Sequence, residues 1–201
     1  MNIIIAGVGG QGNVLASRLI ASTSIMKGME AKTSETIGMA QRGGCVASHI
    51  RIGGQYHSPI VPEGGADLLI GFEIAETARN ITKLKKGGKA VMNMGSIRPA
   101  GGLINLNAYD EQEACQFIQA YCPDIVSIDA FAIAKGIGNP KVVNIAMIGA
   151  AVAAAFLPFT QEEFEIVLKK HLPEKILNIN LQAFRKGMSE VLRYGGALCM
   201  S

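Results

Sequence analysis

The first twelve residues constrain the fold of this chain more than any other segment. An apolar run over residues 2–6 leads directly into Gly7-Val8-Gly9-Gly10-Gln11-Gly12, the glycine loop, and apolar residues at helical spacing follow it. Glycines at these spacings allow a tight turn between a strand and a helix, and they let a ligand approach the backbone closely. The segment therefore predicts a buried strand, a loop and a helix in succession.

Composition favours one compact domain that works within an assembly. The chain has 201 residues, of which 49% are hydrophobic and 17% charged, and its net charge is +3. This length suffices for a single α/β domain with its own core, so we expect one domain over residues 1–201. No block of Lys and Arg is present, and we expect no nucleic-acid partner. Such a small charged surface suggests burial against other subunits or against further copies of the chain.

Apolar periodicity and turn residues predict the remaining elements. Strands are expected at 2–6, 30–36, 45–52, 67–72, 89–93 and 125–129. Helices are expected at 11–27, 73–85, 110–120, 130–135 and 160–170, with a last helix from Pro173 onward. The fold class is therefore α/β, with a Rossmann-like, mostly parallel sheet and a helical C-terminus.

Two segments need separate interpretation. Gly53-Gly54 would turn the chain back after the strand at 45–52, so we expect a candidate β-hairpin near 45–61. The apolar run at 142–157 spans 16 residues and is rich in Ala and Gly. A membrane-spanning helix needs about 20 apolar residues. The run therefore predicts a closely packed buried helix, and we expect no membrane association.

The glycine loop has two interpretations. Its backbone and the following helix N-terminus suit the phosphate of a nucleotide, or its glycines serve packing alone. Glu35 lies 23 residues past Gly12, where a dinucleotide fold carries the acid that binds ribose, but the glycine-rich segment after it is unlike a ribose site. In the first interpretation the cofactor-binding residues are Gly7, Gly9, Gly10, Gln11 and Gly12.

A second glycine-rich loop carries a cation. Gly38-Met39-Ala40-Gln41-Arg42-Gly43-Gly44 follows the second predicted strand, so we expect it on the same edge of the sheet as the glycine loop. Arginine can bind a carboxylate or phosphate through two hydrogen bonds. We expect Arg42 to act in catalysis. The residues expected to bind a cofactor here are Gln41, Arg42, Gly43 and Gly44.

The strand at 45–52 alternates between an apolar and a more polar face. Val46, Ser48, Ile50 and Ile52 suit a core, whereas the opposite face carries Cys45, Ala47, His49 and Arg51. That second face is either a solvated sheet surface or a polar surface for a ligand or neighbouring subunit. In the latter case His49 is a further catalytic candidate. Asp129, at a strand end, is a candidate general base or simply the cap of the next helix.

The cysteines argue against a metal centre held by this chain alone. Cys45, Cys115, Cys122 and Cys199 contain no Cys-x-x-Cys spacing, so we expect no metal site and no iron–sulfur cluster here. Free thiols and an N-terminus that leads straight into a strand predict a cytoplasmic protein.

These motifs resemble the gamma-type domain of the 2-oxoacid:ferredoxin oxidoreductases over essentially the whole chain. The similarity is carried by residues 6–12, 33–35 leading to 38–44, 48–53, 58–64 and 180–187. Met39-Ala40-Gln41 before Arg42 is similar to the indolepyruvate branch of that family. The branches for pyruvate, 2-oxoglutarate and ketoisovalerate tend to carry a version with Pro-Glu.

The resemblance implies a subunit of an enzyme that oxidatively decarboxylates an aryl pyruvate such as indolepyruvate. The family reaction uses thiamine diphosphate, passes electrons through iron–sulfur clusters to ferredoxin and forms an acyl-CoA. This chain lacks the Gly-Asp-Gly motif of a thiamine diphosphate site and the cysteines that bind iron–sulfur clusters, so the resemblance implies that both cofactors lie on a larger partner subunit. The chain, inactive alone, would complete the cleft and hold CoA at the glycine loop and Arg42.

Three alternatives stay open at this point. The chain could serve the pyruvate, 2-oxoglutarate or ketoisovalerate branch of the same family. It could be a self-standing NAD- or FAD-dependent dehydrogenase, although the segment 38–44 argues against that. It could also be a scaffold whose glycine loop binds nothing.

Overall fold

The computed structural model describes residues 1–38, 44–54, 56–95 and 110–194. The strands are β1 (Asn2–Val8), β2 (Ala31–Ile37), β3 (Cys45–Ile52), β4 (Ala66–Gly71), β5 (Leu84–Asn93) and β6 (Ile125–Ile128). The helices are α1 (Asn13–Met26), α2 (Ile74–Asn80), α3 (Glu111–Tyr121), α4 (Ala130–Ile137), α5 (Val143–Ala153), α6 (Gln161–His171) and α7 (Glu174–Tyr194). Short 3₁₀ turns at Ile81–Lys83 and Pro140–Val142 precede β5 and α5.

The strands form one mixed sheet in the order β2-β3-β1-β4-β5-β6. β3 is antiparallel to both of its neighbours, β1 and β2, whereas β1, β4, β5 and β6 pair in parallel. Five strands therefore share one direction, and β3 alone opposes them. The expected mostly parallel, Rossmann-like sheet is confirmed. The edge at which the five parallel strands end is called the carboxyl edge below.

The hairpin lies earlier in the chain than the expected position near 45–61. β3 has the predicted bounds, but its hairpin partner is β2, with Ile37 opposite Val46 beside the turn. Residues 56–61 form no strand. Because β1 and β2 occupy both edges of β3, no edge remains for a returning strand. The segment 56–61 crosses the face of β3 instead, where the Arg51 guanidinium donates to the carbonyls of Ser58 and Ile60.

The predicted helix at 73–85 is too long at its C-terminal end. α2 ends at Asn80, and β5 already begins at Leu84, where it pairs with Ala66 of β4. After this pair the register shifts, and regular pairing starts again with Leu68 opposite Lys89. Gly87 lies in the irregular stretch of β5 and has a φ of 74°. Glycine adopts that conformation readily. The glycine pair at 87–88 thus marks an irregularity within a strand rather than the end of a helix.

Helices cover both faces of the sheet. α1, α4, α5, α6 and α7 pack on the face that contains Ile3 and Ile5, while α2 and α3 pack on the face that contains Ile4 and Ala6. The helix after β1 and the helix after its parallel neighbour β4 therefore lie on opposite faces. Open α/β sheets bind ligands at the carboxyl edge of such a switch point.

The Ala- and Gly-rich run forms the buried helix α5, as predicted, and it packs against α7 of the same chain. A Cβ atom on Gly149 would collide with the Phe184 carbonyl, and one on Gly187 would collide with the Ala146 carbonyl. The two backbones therefore approach closely because both positions lack a side chain. In the described part of the chain, no helix has the length and apolar character to cross a membrane.

Candidate functional site

The switch point lies between the glycine loop and the end of β4. Ala6 of β1 is paired with Gly71 of β4, so Phe72 and Glu73 face the loop across the carboxyl edge. Gly9 and Gly10 are exposed there. This crevice is the position at which the fold itself predicts a ligand.

The glycines of the loop have different structural roles. Gly10 and Gly12 adopt left-handed backbone, with φ of 97° and 83°. A Cβ atom on Gly12 would collide with Asn144, and one on Gly7 would crowd Gln11. At Gly9, by contrast, a Cβ would meet its nearest atom among the described residues, the Gly44 carbonyl oxygen, at 3.8 Å, which is an ordinary van der Waals distance. Packing among the described residues therefore requires glycine at positions 7 and 12 but not at position 9.

The two glycine-rich loops meet at the carboxyl edge, as their sequence positions predict. The Gly9 N–H donates to the Gly44 carbonyl at 2.9 Å, and the Gly38 N–H donates to the Cys45 carbonyl at 2.8 Å. The two ends of the second loop thus lie next to each other and next to the glycine loop. The expected site residues Gln41, Arg42 and Gly43 lie outside the described residues, and their roles stay predictions.

The N-terminus of α1 opens into the same crevice. Its first helical hydrogen bond runs from the Ala16 N–H to the Gly12 carbonyl at 3.0 Å, so the amides of residues 13–15 have no helical partner. Gly12 supplies no side-chain cap, and the first turn holds no acidic residue. An anion at this end would meet unpaired amides and the positive end of the helix dipole.

Gln11 holds the loop in shape instead of presenting its side chain to a ligand. Its Oε1 accepts from the Val8 N–H at 2.8 Å, and its Nε2 donates to the Phe72 carbonyl at 3.3 Å. Both polar ends of the side chain are therefore engaged within the protein. Gln11 contributes to the site through the position of the loop.

Asn93, at the end of β5, belongs to this site although the sequence did not single it out. The residue is fully buried. Its Nδ2 donates to the Phe72 carbonyl at 3.1 Å, and its Oδ1 accepts from the Ala130 N–H at 2.9 Å. Its location in the sequence, an amide at the end of an apolar strand, is the one signal that could have indicated it.

Asp129 is a helix cap, which is the simpler of its two interpretations. Its carboxylate accepts from the Ala132 N–H at 2.8 Å at the first turn of α4. The side chain also lines a surface cleft between α4 and α7 with Lys186 and Glu190. That cleft is separate from the glycine loop.

Glu35 does not reach the crevice. Its Oε1 accepts from the Ser17 hydroxyl at 3.3 Å, in the second turn of α1. It lies on β2, which is two strands away from β1. The acid that a dinucleotide enzyme would need for ribose is thus committed to a contact between β2 and α1, which disfavours the dehydrogenase alternative.

His49 is buried and lies away from the glycine loop. Its exposed fraction is 3%, and it pairs with Ile4, about 13 Å along the strands from Val8. Nδ1 accepts from the Val61 N–H at 3.2 Å, and Nε2 lies 3.3 Å from the Thr36 hydroxyl. The structure therefore does not bring His49 to the crevice.

Burial and one nearby cation lower the pKa of His49. Removal from water is the largest cause of the lowered pKa, and the Lys83 ammonium adds to it. The carboxylates of Glu35 and Glu63 act in the opposite direction and are outweighed. His49 is therefore held as a neutral imidazole over a wider pH range than a solvated histidine.

Arg51 secures the segment that covers this face of β3. Its Nη1 donates to the Ser58 and Ile60 carbonyls at 3.1 and 3.3 Å, and its guanidinium carbon lies 3.7 Å from the centre of the Tyr56 ring. Nε donates to Asn2 at 3.1 Å. The polar face around His49 and Arg51 is therefore used within the chain, by the segment 56–61.

Acidic and sulfur ligands do not assemble in the described part of the chain. Residues 1–38, 44–54, 56–95 and 110–194 contain no group of three or more His, Cys, Asp or Glu side chains placed to hold a metal ion. This donor set does not fit an iron–sulfur cluster, so no step of the chemistry is assigned to such a group on these residues.

Comparison with known sequences identifies relatives along nearly the full chain. The family of pyruvate ferredoxin/flavodoxin oxidoreductases matches residues 2–190. Indolepyruvate oxidoreductase subunit IorB of Archaeoglobus fulgidus is 33% identical over 193 residues, which cover 96% of each chain. The subunit of the same name from Thermococcus kodakarensis is 32% identical over 189 residues, which cover 93% of this chain and 94% of that one.

Solved structures share the fold at lower identity. The gamma subunit of a keto/oxoacid ferredoxin oxidoreductase from Geobacter sulfurreducens superposes with a TM-score of 0.68 at 23% identity, over 96% of this chain and 98% of that one. A 2-oxoglutarate:ferredoxin oxidoreductase from Magnetococcus marinus superposes with a TM-score of 0.73 at 22% identity. That match covers 100% of this chain and 32% of the longer one.

The chain therefore belongs to the pyruvate ferredoxin/flavodoxin oxidoreductase family, as its motifs predicted. Within that family it is a gamma-type subunit of a 2-oxoacid:ferredoxin oxidoreductase. The multi-subunit enzyme, and not this chain by itself, is the unit to which the activity is assigned.

Proposed function

We propose that this chain is the subunit of an indolepyruvate:ferredoxin oxidoreductase that completes the active-site cleft and holds CoA. The observation that carries the proposal is the meeting of the two glycine-rich loops, through Gly9 and Gly44, at the switch point of the sheet. The relatives named IorB, at 32–33% identity over nearly the full length, support the indolepyruvate branch.

A larger partner subunit would carry the rest of the chemistry. When bound there, thiamine diphosphate supplies the carbanion chemistry of decarboxylation, and iron–sulfur clusters take the electrons onward to ferredoxin. The chain alone would then be inactive. We also propose that residues 1–201 form one domain and that the enzyme works in the cytoplasm.

The crevice suits the diphosphate of CoA. The amides of residues 13–15 at the start of α1 would give a diphosphate donors, and the missing side chain of the exposed Gly9 would let it approach the backbone. Arg42, from the segment whose ends lie beside Gly9, would add a guanidinium with two donors to the same phosphates. The Magnetococcus enzyme of the same fold has been solved with CoA and succinyl-CoA bound, which makes CoA the natural ligand to test.

Substitution at Gly9 and Arg42 in the complete complex tests the assignment of CoA. Gly9→Ala adds a methyl group that no atom of the described residues approaches closer than 3.8 Å, so it should leave the fold intact and obstruct a closely bound ligand. We expect Gly9→Ala to weaken CoA binding by about 10-fold. Arg42→Ala should weaken it by about 10- to 100-fold, since hydrogen bonds to charged groups contribute about 1.5–3 kcal/mol.

Gly136→Ala in α4 is the matched control, because a Cβ atom there would lie 3.9 Å from its nearest neighbour, far from the crevice. Calorimetric titration with CoA measures the three affinities, and gel filtration confirms that each complex is assembled. Unchanged CoA affinity in both Gly9→Ala and Arg42→Ala would rule out CoA at this site.

A further inference from the structure

The carbonyl oxygen of Phe72 receives two side-chain amide donors at the switch point. One is Gln11 Nε2, from the glycine loop, at 3.3 Å, and the other is Asn93 Nδ2, from the end of β5, at 3.1 Å. A carbonyl oxygen has two lone pairs, so these two donors satisfy it completely. A single buried acceptor thus joins the ends of two strands to the loop.

Each amide is also anchored at its oxygen. Gln11 Oε1 accepts from the Val8 N–H at 2.8 Å, and Asn93 Oδ1 accepts from the Ala130 N–H at 2.9 Å. The result is a continuous chain of hydrogen bonds that crosses the carboxyl ends of β1, β4 and β5 and reaches the start of α4. We call the set Gln11, Phe72 and Asn93 the amide bridge.

We propose that Gln11 and Asn93 are positioning residues for CoA, which act by holding the glycine loop at a fixed distance from the ends of β4 and β5. The inference rests on the proposed function, since CoA is the ligand assigned to the loop above. Neither side chain needs to touch the ligand, because both polar ends of each are engaged within the protein.

The loop needs such a support because its own backbone is unusually free. Gly10 and Gly12 have φ of 97° and 83°, and glycine loses more conformational freedom on ordering than any other residue. A loop that is ordered before the ligand arrives binds it more tightly, since the ordering has already occurred during folding. The amide bridge supplies that order at the point where β1 leads into the loop.

Two substitutions replace the amide donors of the bridge with carboxylate oxygens, which also repel the Phe72 carbonyl oxygen. Gln11→Glu and Asn93→Asp each keep the oxygen that accepts a backbone N–H and replace the donor that faces the Phe72 carbonyl with an oxygen. In the complete complex we expect each to raise the KM for CoA by about 5- to 20-fold, with kcat and the KM for the 2-oxoacid within about 2-fold of wild type.

The control is Asn180→Asp in α7, which likewise replaces an amide donor, here of the partly buried bond from Asn180 Nδ2 to the Ile176 carbonyl at 2.7 Å. It should lower the melting temperature with no change in the KM for CoA. Gln11→Met is the second variant: it places no charge beside the carbonyl, and position 11 is only half-buried, so this protein should fold even if the acidic variants do not.

Hydrogen exchange gives a readout that does not depend on catalysis. In Gln11→Met without CoA, we expect the amides of residues 8–12 to exchange at least 5-fold faster than in wild type, while those of β4 are unchanged. Wild-type exchange in the loop together with a wild-type KM for CoA would overturn the positioning role. The proposed function would survive that result if Gly9→Ala and Arg42→Ala still weaken CoA binding. A different result would be faster exchange in the loop together with an unchanged CoA affinity in Gly9→Ala and Arg42→Ala. That result would contradict the proposed function, and CoA would then not be the ligand that the amide bridge positions.

Discussion

Both ring nitrogens of His49 form hydrogen bonds inside the protein, and these bonds require the neutral imidazole. Nδ1 accepts from the Val61 N–H, so the ring proton of the neutral form resides on Nε2, beside the Thr36 hydroxyl. A second proton would place an N–H against the N–H of Val61. Burial disfavours the same charged form, and it is the main reason why the pKa of His49 is lowered.

We predict that His49 makes the stability of the protein fall below about pH 6.5. The pKa is lower in the folded state than its usual value of 6.5, so the unfolded chain binds more protons between those two values. The contribution of neutral His49 is therefore complete above pH 6.5 and is lost as the pH falls through the folded pKa.

Urea unfolding at pH 5.5 and 7.5 measures this effect. His49→Asn keeps an acceptor for the Val61 N–H and does not titrate, so the difference in unfolding free energy between the two pH values should shrink. His171→Asn, at the exposed end of α6, is the matched control because it makes the same substitution outside the core. An equal pH dependence in His49→Asn and wild type would contradict the prediction.

Single residues divide clearly into those that local sequence identifies and those that it cannot. The glycine loop and the cap at Asp129 are defined by neighbours a few positions away, and both are found where expected. Asn93 bonds to residues 21 and 37 positions away along the chain. Its role depends on which strands become neighbours, and that information is absent from its local sequence.

Helices α5 and α7 pack closely against each other, and glycine makes this possible. Gly149 faces the Phe184 carbonyl, and Gly187 faces the Ala146 carbonyl. The two helices cannot move apart without disturbing the core, because α5 is buried between the sheet and α7. Apolar side chains of α7, among them Phe184 and Val191, belong to the same core cluster as those of α5.

We predict that Gly149→Ala destabilises the protein by about 1–3 kcal/mol, the usual cost of overpacking a core. The added methyl group would occupy the space of a backbone carbonyl, which a rotamer change cannot clear. Denaturant unfolding gives the free energy. Gly136→Ala in α4 would bring the new methyl group no closer than 3.9 Å to its nearest neighbour, the Lys186 ammonium, and should be neutral or stabilising by about 0.5–1 kcal/mol. Equal stability of the two variants would exclude a close contact between α5 and α7.

Element boundaries were predictable where a cap or turn marked them, as at Thr160, whose capping box with Glu163 is present. They were not predictable where pairing decided them. Lys85 and Lys86 suit the last turn of a helix as well as they suit an exposed strand, and only the alignment of β5 with β4 places them in the strand. The same applies to β3, whose two edges are filled by strands that precede it.

The molecule as a whole has two apolar clusters, one on each face of a single sheet, and a carboxyl edge with exposed apolar side chains. Ile37, at the end of β2, is 66% exposed, and Met94, just after β5, is 46% exposed. The two side chains lie four strands apart at this edge, so they do not form one continuous apolar patch.

We predict that the tagged chain, purified from its native host, brings down a larger subunit with bound thiamine diphosphate and iron–sulfur clusters. The complex should reduce ferredoxin with indolepyruvate and CoA, and the isolated chain should not. Mass spectrometry identifies the subunit, and absorbance near the cluster bands reports its metal content. Recovery of the chain alone would contradict the proposed partner, and recovery of a complex that prefers pyruvate would contradict the proposed branch. The mass of the complex gives the number of copies of each subunit.

The reversed direction of β3 bears on how such a subunit can diversify. Since β2 and β3 meet at the carboxyl edge, the connection between them starts and ends at one point, where the Gly38 N–H donates to the Cys45 carbonyl. Substitution or insertion in such a connection leaves the pairing of the strands unaffected. The sheet can then stay constant while the segment between Gly38 and Gly44 changes in sequence.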